Sequence, residues 1–345
     1  MRITVLPFER SFDCDEDETV LAAALRQGFF LRYGCKAGGC SSCRAQVVGG
    51  DVESRGSSFA LSDVDRDRGW ILSCSATPLE DLVLDVSTMD LTEEEFLAGD
   101  RVGRWTSVLD RVERVTHDMR AVALRLEGPE PMSFTAGQFV NVEVPGTSEV
   151  RAFSMMNPPS RAGSVELLVK VIDGGLFSEW LERDARRGDR VALQGPLGVF
   201  RVRLSHRPIV MIAGGSGLAP ILAMLADQAE RGCERPITFL YGVRARRDLC
   251  RLEEIAEIGQ RLPGFRFIPV LSEEPGGGEW TGARGFVSEA LVSEGLDLRG
   301  HDAYLCGPPA MIATAIPVLT RGGVRERNVY FDAFVPSGTQ VAVPA

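Results

Sequence analysis

Hydrophobic and polar positions follow three successive patterns along the chain, and each pattern predicts a different kind of domain. The first pattern covers about residues 1–92 and contains one amphipathic segment, residues 19–27, which Gly28 ends. Its predicted strands lie at residues 2–6, 11–14, 44–48, 51–53 and 82–86. The third and fourth of these strands are expected to pair as a hairpin across Gly49 and Gly50. Several short strands around one helix predict a small α+β domain.

The second pattern alternates polar and apolar residues with a period of two, over about residues 100–203. Apolar runs at residues 121–126 and 139–144 are bounded by the turn dipeptides Gly-Pro and Pro-Gly. Regularly spaced strands with such turns predict an antiparallel β-barrel. The segment that precedes them, residues 87–104, contains three consecutive glutamates and two glycines, and these predict a solvent-exposed linker.

In the third pattern, continuous apolar strands alternate with helices over residues 204–345. Residues 208–213 are almost uniformly apolar, as expected for a parallel strand that is covered on both faces. They lead into a Gly-Gly-Ser-Gly loop and a helix predicted at residues 221–228. Further strands are predicted at residues 237–242, 265–271 and 301–305. This order predicts a doubly wound α/β domain, with a nucleotide site where the glycine loop follows the first strand.

Composition and charge narrow the class of protein. The chain has 345 residues, of which 44% are hydrophobic and 25% charged, and this suffices for two or three globular domains. The uncharged run at residues 208–226 is interrupted by glycines and Pro220, so it predicts no membrane span. The net charge is −10, and residues 1–98 hold 18 acidic but only 9 basic side chains. We therefore expect no nucleic-acid partner, while an acidic domain suits either a basic protein partner or simple solubility.

Four cysteines carry the strongest chemical signal. Cys35, Cys40 and Cys43 follow a Cys-x4-Cys-x2-Cys pattern among several glycines, and Cys74 lies further along the chain. This is the ligand spacing of a plant-type [2Fe-2S] cluster, whereas structural zinc sites prefer paired Cys-x2-Cys units or nearby histidine. A disulfide framework would suit a short secreted chain, and residues 1–5 predict a strand and no signal peptide. We predict that the four cysteines bind a [2Fe-2S] cluster in a cytoplasmic protein.

The first two domains resemble known redox modules. Residues 1–90 resemble the β-grasp fold of plant-type ferredoxins. The sequence Arg151-Ala152-Phe153-Ser154 resembles the flavin motif of the ferredoxin–NADP reductase superfamily, although Phe153 stands where many relatives have tyrosine. The resemblance implies that the Arg151 guanidinium binds the FAD diphosphate, that the Phe153 ring packs on the isoalloxazine and that Ser154 lies near N5. The flavin-binding residues that it implies are Arg151, Phe153, Ser154, Val169, Lys170, Gly175, Phe177 and Ser178.

The third domain resembles the nucleotide domain of the same superfamily. There a Cys-Gly-Pro turn lies beside the nicotinamide, which implies that the Cys306 thiol lies near the path of the hydride. A terminal aromatic residue that covers the flavin is implied at Phe334, with Phe331 as the alternative, and Cys306, Phe334 and Ser154 are the implied catalytic residues. The implied nucleotide-binding residues are Gly214, Gly215, Gly217, Pro220, Tyr241, Gly242, Arg244, Cys306, Gly307, Pro308 and Phe334. Three arginines after residue 243 would suit NADPH, but the surrounding sequence resembles that of NADH-using reductases and favours NADH.

The domain order, ferredoxin then flavin barrel then nucleotide domain, resembles the reductase components of multicomponent oxygenases. Residues 33–36 and 330–334 favour the group that serves di-iron monooxygenases acting on methane, phenol, alkenes or propane. The resemblance implies an enzyme that passes electrons from NADH through FAD and the cluster, one at a time, to a hydroxylase component, with no membrane partner. A reductase of a Rieske-type aromatic-ring dioxygenase is the alternative. A redox-sensing binding module is the alternative from a different class; the intact nicotinamide loop argues against it, and absence of NADH turnover would favour it.

Overall fold

The computed structural model describes residues 1–33, 38, 42–54, 61–89, 91–97, 103–128, 131–274 and 280–334. These residues form two compact units. The first contains residues 1–103 with the short segment 197–199, and the second contains residues 104–196 and 200–334. Among the helices in the described ranges, none could cross a membrane, since the longest two have 13 residues each.

The first unit is a five-stranded sheet with a small second sheet and short helices. Its elements are β1 (Arg2–Leu6), β2 (Arg10–Asp13), α1 (Val20–Arg26), β3 (Arg44–Gly49), β4 (Val52–Ser54), α2 (Asp63–Asp67), β5 (Trp70–Leu72), β6 (Ala76–Pro78), β7 (Leu82–Asp85) and α3 (Glu93–Leu97). The main sheet has the order β2-β1-β7-β3-β5, and only β1 and β7 of the pairs described there run parallel. Thr19 begins α1 by accepting a hydrogen bond from the Ala22 N–H, and Gly28 follows the helix with a φ of 78°. The predicted α+β fold of the β-grasp type is confirmed.

Two expectations for this unit were wrong. Strands β3 and β4 do not form a hairpin, because β3 pairs with β5 and β7 while β4 pairs with β6 in a separate sheet. Gly50 adopts a φ of 87° and lies so close to β7 that a Cβ there would approach the Leu82 side chain to 2.7 Å. The chain therefore turns against β7 before β4 begins.

Part of the predicted linker is also ordered, whereas residues 90 and 98–102 of it lie outside the described residues. Residues 93–97 form α3, and Phe96 within it is fully buried. Its ring stacks on Phe8 and Phe29, with centroids 4.9 and 5.1 Å away. One aromatic side chain thus binds the charged segment to the core of the first unit, since burying a ring of this size stabilises the fold by about 1.5–3 kcal/mol.

The first part of the second unit is an antiparallel barrel. Its elements are β8 (Gly103–Arg114), β9 (Met119–Glu127), β10 (Phe139–Glu143), β11 (Val150–Ser154), β12 (Ser164–Lys170), α4 (Leu176–Arg183) and β13 (Arg190–Leu197). The strand order is β11-β10-β13-β8-β9-β12, and an antiparallel bridge between Met155 and Leu167 joins the two edges of this sheet. The predicted barrel is therefore confirmed, and its closure brings β11 beside β12.

The rest of the second unit is a parallel sheet flanked by helices. Its elements are β14 (Ile209–Gly214), α5 (Leu218–Glu230), β15 (Ile237–Val243), α6 (Leu252–Gly259), β16 (Arg266–Leu271), β17 (Ala283–Arg284), α7 (Val287–Ser293), β18 (Asp302–Gly307), α8 (Pro309–Arg321) and β19 (Val329–Ala333). The order β17-β16-β15-β14-β18-β19 confirms the doubly wound fold, and the direction of winding changes between β14 and β18. Helix α5 begins at Leu218, before the predicted residue 221, because Pro220 is accommodated in a first helical turn.

The barrel and the parallel sheet share one hydrophobic core. Met119, Met156 and Leu168 of the barrel belong to the same buried cluster as Met211 of β14 and Met224 of α5. This shared core explains why both parts belong to one compact unit. The predicted boundary between residues 203 and 204 lies within that unit and stays a prediction, as do the other predicted boundaries.

A buried carboxylate at the start of β18 provides a test of this fold. Asp302 is 1% exposed and lies 2.7 Å from Nη2 of Arg235, whose side chain is 11% exposed. We expect Asp302→Asn to lower the free energy of unfolding by about 3 kcal/mol, because it leaves a buried guanidinium without its counter-charge. The midpoint of urea unfolding measures this effect. The matched control is Asp297→Asn, which removes an exposed partner of Arg299 and should leave the midpoint unchanged; equal effects of both variants would contradict the assignment.

Candidate functional site

Two glycine-containing turns meet at the carboxyl ends of β14 and β18. These strands are neighbours in the sheet, with Ala213 of β14 opposite Cys306 of β18. The predicted Gly-Gly-Ser-Gly loop, residues 214–217, follows β14, and the Cys-Gly-Pro sequence ends β18. The structure thus brings together the two motifs that were assigned to the nucleotide, at the point where ligands bind in doubly wound sheets.

The two turns are in backbone contact, so glycine is required on both sides. A Cβ on Gly217 would lie 2.7 Å from the Gly307 nitrogen, and a Cβ on Gly307 would lie 2.8 Å from the Gly214 carbonyl oxygen. Gly307 also has a φ of 143°, which side chains other than hydrogen rarely allow. These glycines therefore set the spacing of the loops as well as leaving room for a ligand.

Helix α5 begins directly after the first turn. In the described part of the chain, no side chain caps its first turn. Its first backbone N–H groups, together with the positive end of the helix dipole, suit a diphosphate. The donor set of these residues therefore fits a nicotinamide dinucleotide.

Cys306 is fully buried between β14 and β19. Burial raises the pKa of its thiol well above the usual value, and the negative charge of Asp332 raises it further. Asp332 lies opposite Cys306 in the register of β18 and β19, and the N–H of Phe334 donates to the Gly307 carbonyl at 2.9 Å. Phe334 thus follows the strand beside the Cys-Gly-Pro turn, whereas Phe331 is opposite Leu305. Sequence reasoning missed Asp332, because no sequence signal gives the register of these two strands.

Three other predicted nucleotide-binding residues, Tyr241, Gly242 and Arg244, lie at or just after the end of β15 and differ in how far they are exposed. The Tyr241 side chain is fully buried, with its hydroxyl 3.5 Å from the Cys250 sulfur, so it belongs to the core. A Cβ on Gly242 would approach the Val287 side chain to 2.7 Å, so this glycine lets α7 pack on β15. The Arg244 side chain is 72% exposed at the end of β15. The assignment of these three residues to the nucleotide site stays a prediction. Of the three, Arg244 has the side chain that is most accessible to a ligand.

The predicted flavin motif lies on β11 at the closure of the barrel. Arg151 and Phe153 alternate with the exposed Ala152 and so share one face of the strand, while Ser154 is buried. The Phe153 ring is 5.0 Å from the Phe177 ring, centroid to centroid. A half-buried aromatic face beside a cation on an edge strand suits a flat, negatively charged ligand.

Cationic groups around this motif are paired with carboxylates, of which Glu149 is exposed and Asp118 half-buried. The Arg151 Nη1 lies 2.8 Å from the Glu149 carboxylate, and the Lys170 Nζ lies 3.5 Å from Asp118. Exposed pairs of this kind contribute only about 0–1 kcal/mol, so a diphosphate can take the place of the carboxylates. Val169 is buried in the barrel core and lies opposite Arg120 of β9. The donor set therefore fits FAD.

The loop before α4 is stabilised by a hydrogen bond from Ser178, in the first turn of that helix. Gly174 has a φ of 73°, and a Cβ on Gly175 would approach the Ser178 Oγ to 2.7 Å. The Ser178 hydroxyl bonds within this loop, at 2.9 Å from the Gly175 carbonyl. Phe177 is buried in the barrel core. What these residues can offer a phosphate is the backbone N–H groups of the helix start, and their role in FAD binding stays a prediction.

Two of the four predicted cluster ligands come together in the first unit. Cys43 precedes β3 and Cys74 follows β5, and Arg44 is opposite Leu72 in the antiparallel pair. The Ser73 N–H donates to the Cys43 carbonyl at 3.0 Å. Cys35 and Cys40 lie outside the described residues.

A buried hydroxyl beside these cysteines suits a cluster. Ser73 is fully buried, and its hydroxyl has no hydrogen-bond partner among the residues that the structure describes. Buried hydroxyl groups are rarely left unpaired, and cluster sulfurs accept hydrogen bonds from nearby donors. The residues present therefore fit a [2Fe-2S] cluster held by Cys43 and Cys74 with two further thiolates. Ser73 was not found by sequence reasoning, because a serine next to a ligand gives no distinct signal.

Three family models match successive parts of the chain. A 2Fe-2S iron-sulfur cluster binding domain matches residues 3–79, an oxidoreductase FAD-binding domain matches residues 106–202, and an oxidoreductase NAD-binding domain matches residues 211–316. The predictions of a [2Fe-2S] cluster, FAD and a nicotinamide nucleotide as cofactors are confirmed. The choice between NADH and NADPH stays a prediction.

Known proteins are similar to the chain over nearly its whole length. The phenol 2-monooxygenase reductase component DmpP of Pseudomonas sp. strain CF600 is 38% identical over 336 residues, which cover 96% of this chain and 94% of DmpP. A propane 2-monooxygenase reductase component of Mycolicibacterium smegmatis is 37% identical over 340 residues, 96% of this chain and 97% of its own. The crystal structure of the Amycolatopsis reductase GcoB matches with a TM-score of 0.77 and 33% identity, covering 97% of this chain and 99% of GcoB.

The state of Cys306 can be tested by alkylation. A thiol reacts with iodoacetamide as the thiolate, whose fraction at a given pH falls as the pKa rises, and burial raises the pKa of Cys306. We expect Cys306 to stay unmodified in the native protein between pH 7 and pH 9, while the half-buried Cys233 reacts first. Peptide mass spectrometry measures both sites, and 8 M urea should make them equally reactive. Modification of native Cys306 as fast as Cys233 would show that its thiol is accessible and ionised.

Proposed function

The chain belongs to the family of the reductase components of multicomponent monooxygenases, and we propose that it passes electrons from NADH through FAD and a [2Fe-2S] cluster, one at a time, to the hydroxylase component of such an enzyme. It is an NAD(P)H-dependent flavin iron–sulfur oxidoreductase. The observation that carries the proposal is the presence in one chain of paired cluster cysteines, a cation–aromatic flavin strand and two joined glycine turns.

Three redox groups with different electron capacities explain why these sites occur together. When bound, a nicotinamide supplies two electrons as one hydride, a flavin holds up to two and releases them singly, and a [2Fe-2S] cluster carries one. The protein's part is to bind and orient these groups and to tune the charge around them. The proposed reaction therefore needs no acid–base triad.

The side chains of the second unit have separate tasks in this scheme. The turn at residues 214–217 and the start of α5 hold the dinucleotide, and Arg151 holds the flavin diphosphate. Cys306 keeps its proton at neutral pH because burial raises its pKa. It therefore contributes a small uncharged side chain to the site and does not act as a base. Phe334, at the end of β19, is the side chain that would cover the flavin and yield to nicotinamide.

The hydroxylase component is proposed as the partner because the relatives are named as reductase components of monooxygenases. The concentration of acidic side chains in residues 1–98 supports docking of the cluster domain on a basic face. The organic substrate would then be oxidised on another polypeptide. We also propose a cytoplasmic site of action, since a reducing compartment keeps the cluster cysteines available as thiolates.

The flavin assignment is tested by replacing its cation. Arg151→Ala should yield protein with little flavin absorbance, because the diphosphate loses its bidentate partner. The control is Arg187→Ala in the same barrel, where the side chain is 81% exposed and pairs with Asp110. Absorbance at 450 nm relative to protein concentration measures FAD content. A full complement of FAD in the Arg151 variant would refute the assignment.

The order of electron transfer is tested at a cluster ligand. Cys74→Ala should retain NADH oxidation by ferricyanide, which needs only the flavin, and lose at least about nine-tenths of cytochrome c reduction. Cys233→Ala, at a cysteine with no predicted role, should retain both activities. If the Cys74 variant loses the cluster yet reduces cytochrome c at the normal rate, electrons do not leave through the cluster.

A further inference from the structure

The carboxyl ends of β15 and β16 carry opposite charges. Arg244, Arg246 and Arg247 follow β15, while Glu273 and Glu274 follow β16. Backbone pairing continues past both strands. The Ser272 N–H donates to the Val243 carbonyl at 3.0 Å, and the Glu273 N–H donates to the Arg244 carbonyl at 2.8 Å. The continued ladder places the glutamates directly beside the arginines.

The contact between Arg246 and Glu274 is the most tightly defined. The Arg246 Nε lies 2.7 Å from Glu274 Oε1, and the Arg246 backbone N–H donates to Oε2 at 3.2 Å. The Glu274 side chain is only 8% exposed. These two hydrogen bonds lower the pKa of Glu274, and the bond from the Arg246 backbone N–H has the larger effect. Glu274 is therefore an anion at neutral pH. A carboxylate held by two donors and shielded from water is a fixed negative charge.

The other two arginines face looser carboxylates. The Arg244 Nε lies 3.7 Å from Glu273, and these side chains are 72% and 66% exposed. The Arg247 Nε lies 3.9 Å from the Asp248 carboxylate. Each cation at the end of β15 therefore has a carboxylate within ion-pair distance.

This edge of the sheet is where the adenosine ribose lies in dinucleotide domains of this architecture. A cation there accommodates the 2′-phosphate of NADP, and a carboxylate accepts a hydrogen bond from the ribose 2′-hydroxyl of NAD. A 2′-phosphate brings close to two negative charges and needs cations that are not already balanced.

We propose that Glu274, assisted by Glu273, neutralises the arginine cluster after β15 and so makes the dinucleotide site select NADH over NADPH. This inference rests on the proposed function, because it assigns the specificity of the same nucleotide site. Glu274 is the stronger determinant, since its side chain is only 8% exposed and accepts two hydrogen bonds from Arg246, whereas a phosphate can displace the exposed Glu273 from Arg244. Each of the three arginines that would suit NADPH by sequence thus has a carboxylate within ion-pair distance, and the partner of Arg246 is the most strongly held.

The test uses two nucleotides that differ only at the 2′ position, 5′-AMP and adenosine 2′,5′-bisphosphate. Isothermal titration calorimetry on the full-length holoprotein gives both dissociation constants without hydride transfer. We expect the wild-type protein to bind 5′-AMP more tightly than the bisphosphate. Glu274→Gln should shift the ratio of the two constants toward the bisphosphate by about tenfold, because it removes one fixed negative charge. The ratio of kcat/KM for NADPH and NADH, with ferricyanide as acceptor, should move in the same direction.

The matched control is Glu294→Gln. Glu294 pairs with Arg266 at the opposite end of β16, with the same 2.7 Å separation between nitrogen and oxygen. Its removal should leave the ratio unchanged, which separates a local charge effect from loss of an ion pair in general. If Glu274→Gln does not fold, Glu273→Gln, at an exposed position, should still shift the ratio by about two- to threefold.

The outcomes separate this inference from the proposed function. If the wild-type protein binds neither nucleotide, the nucleotide site and the proposed function are wrong. If it binds 5′-AMP but the glutamate variants leave the ratio unchanged, the specificity inference is overturned and the proposed function stands. Tighter binding of the bisphosphate by the wild-type protein would also overturn the inference.

Discussion

The nucleotide half of the second unit depends on one backbone contact, that between the turn after β14 and the turn that ends β18. Gly217 and Gly307 approach the opposite turn so closely that neither position has room for a Cβ. This contact holds Cys306 where the direction of winding of the sheet changes, opposite Ala213. At the same place α5 begins, and no described side chain caps its first turn. The proposed diphosphate site and the buried thiol proposed to lie beside the nicotinamide therefore depend on the same packing constraint.

Charge pairing supplies the selectivity that backbone geometry cannot. The flavin strand keeps Arg151 on an exposed and weakly held carboxylate, which a ligand can replace. The end of β15 shows the opposite arrangement, since Glu274 is shielded and bonded twice by Arg246. The proposed accepting site and the proposed rejecting site thus use the same pair of residue types, and they differ in the exposure of the carboxylate.

The parts of the site that could be predicted from sequence are those whose signal is local. The cysteine spacing and the glycine loops are short motifs, and the three local patterns of apolar residues predicted the three fold types. The rest depends on pairing between distant segments. The hairpin at Gly49 and Gly50 was wrong because β3 prefers β5 and β7, and the burial of Phe96 in α3 depends on Phe8 and Phe29. Strand register likewise placed Asp332 beside Cys306, which no local pattern encodes.

The core that the barrel shares with the parallel sheet links the two ligands of the second unit energetically. Met119 and Met156 of the barrel pack in one cluster with Met224 of the helix that begins at the glycine turn. Segments that share a core tend to unfold together, so loss of structure in one half destabilises the other. A flavin bound to the barrel consequently stabilises the dinucleotide domain by mass action, in addition to the proposed contact with Phe334. In the cell, flavin supply would then set the lifetime of the entire second unit against proteolysis.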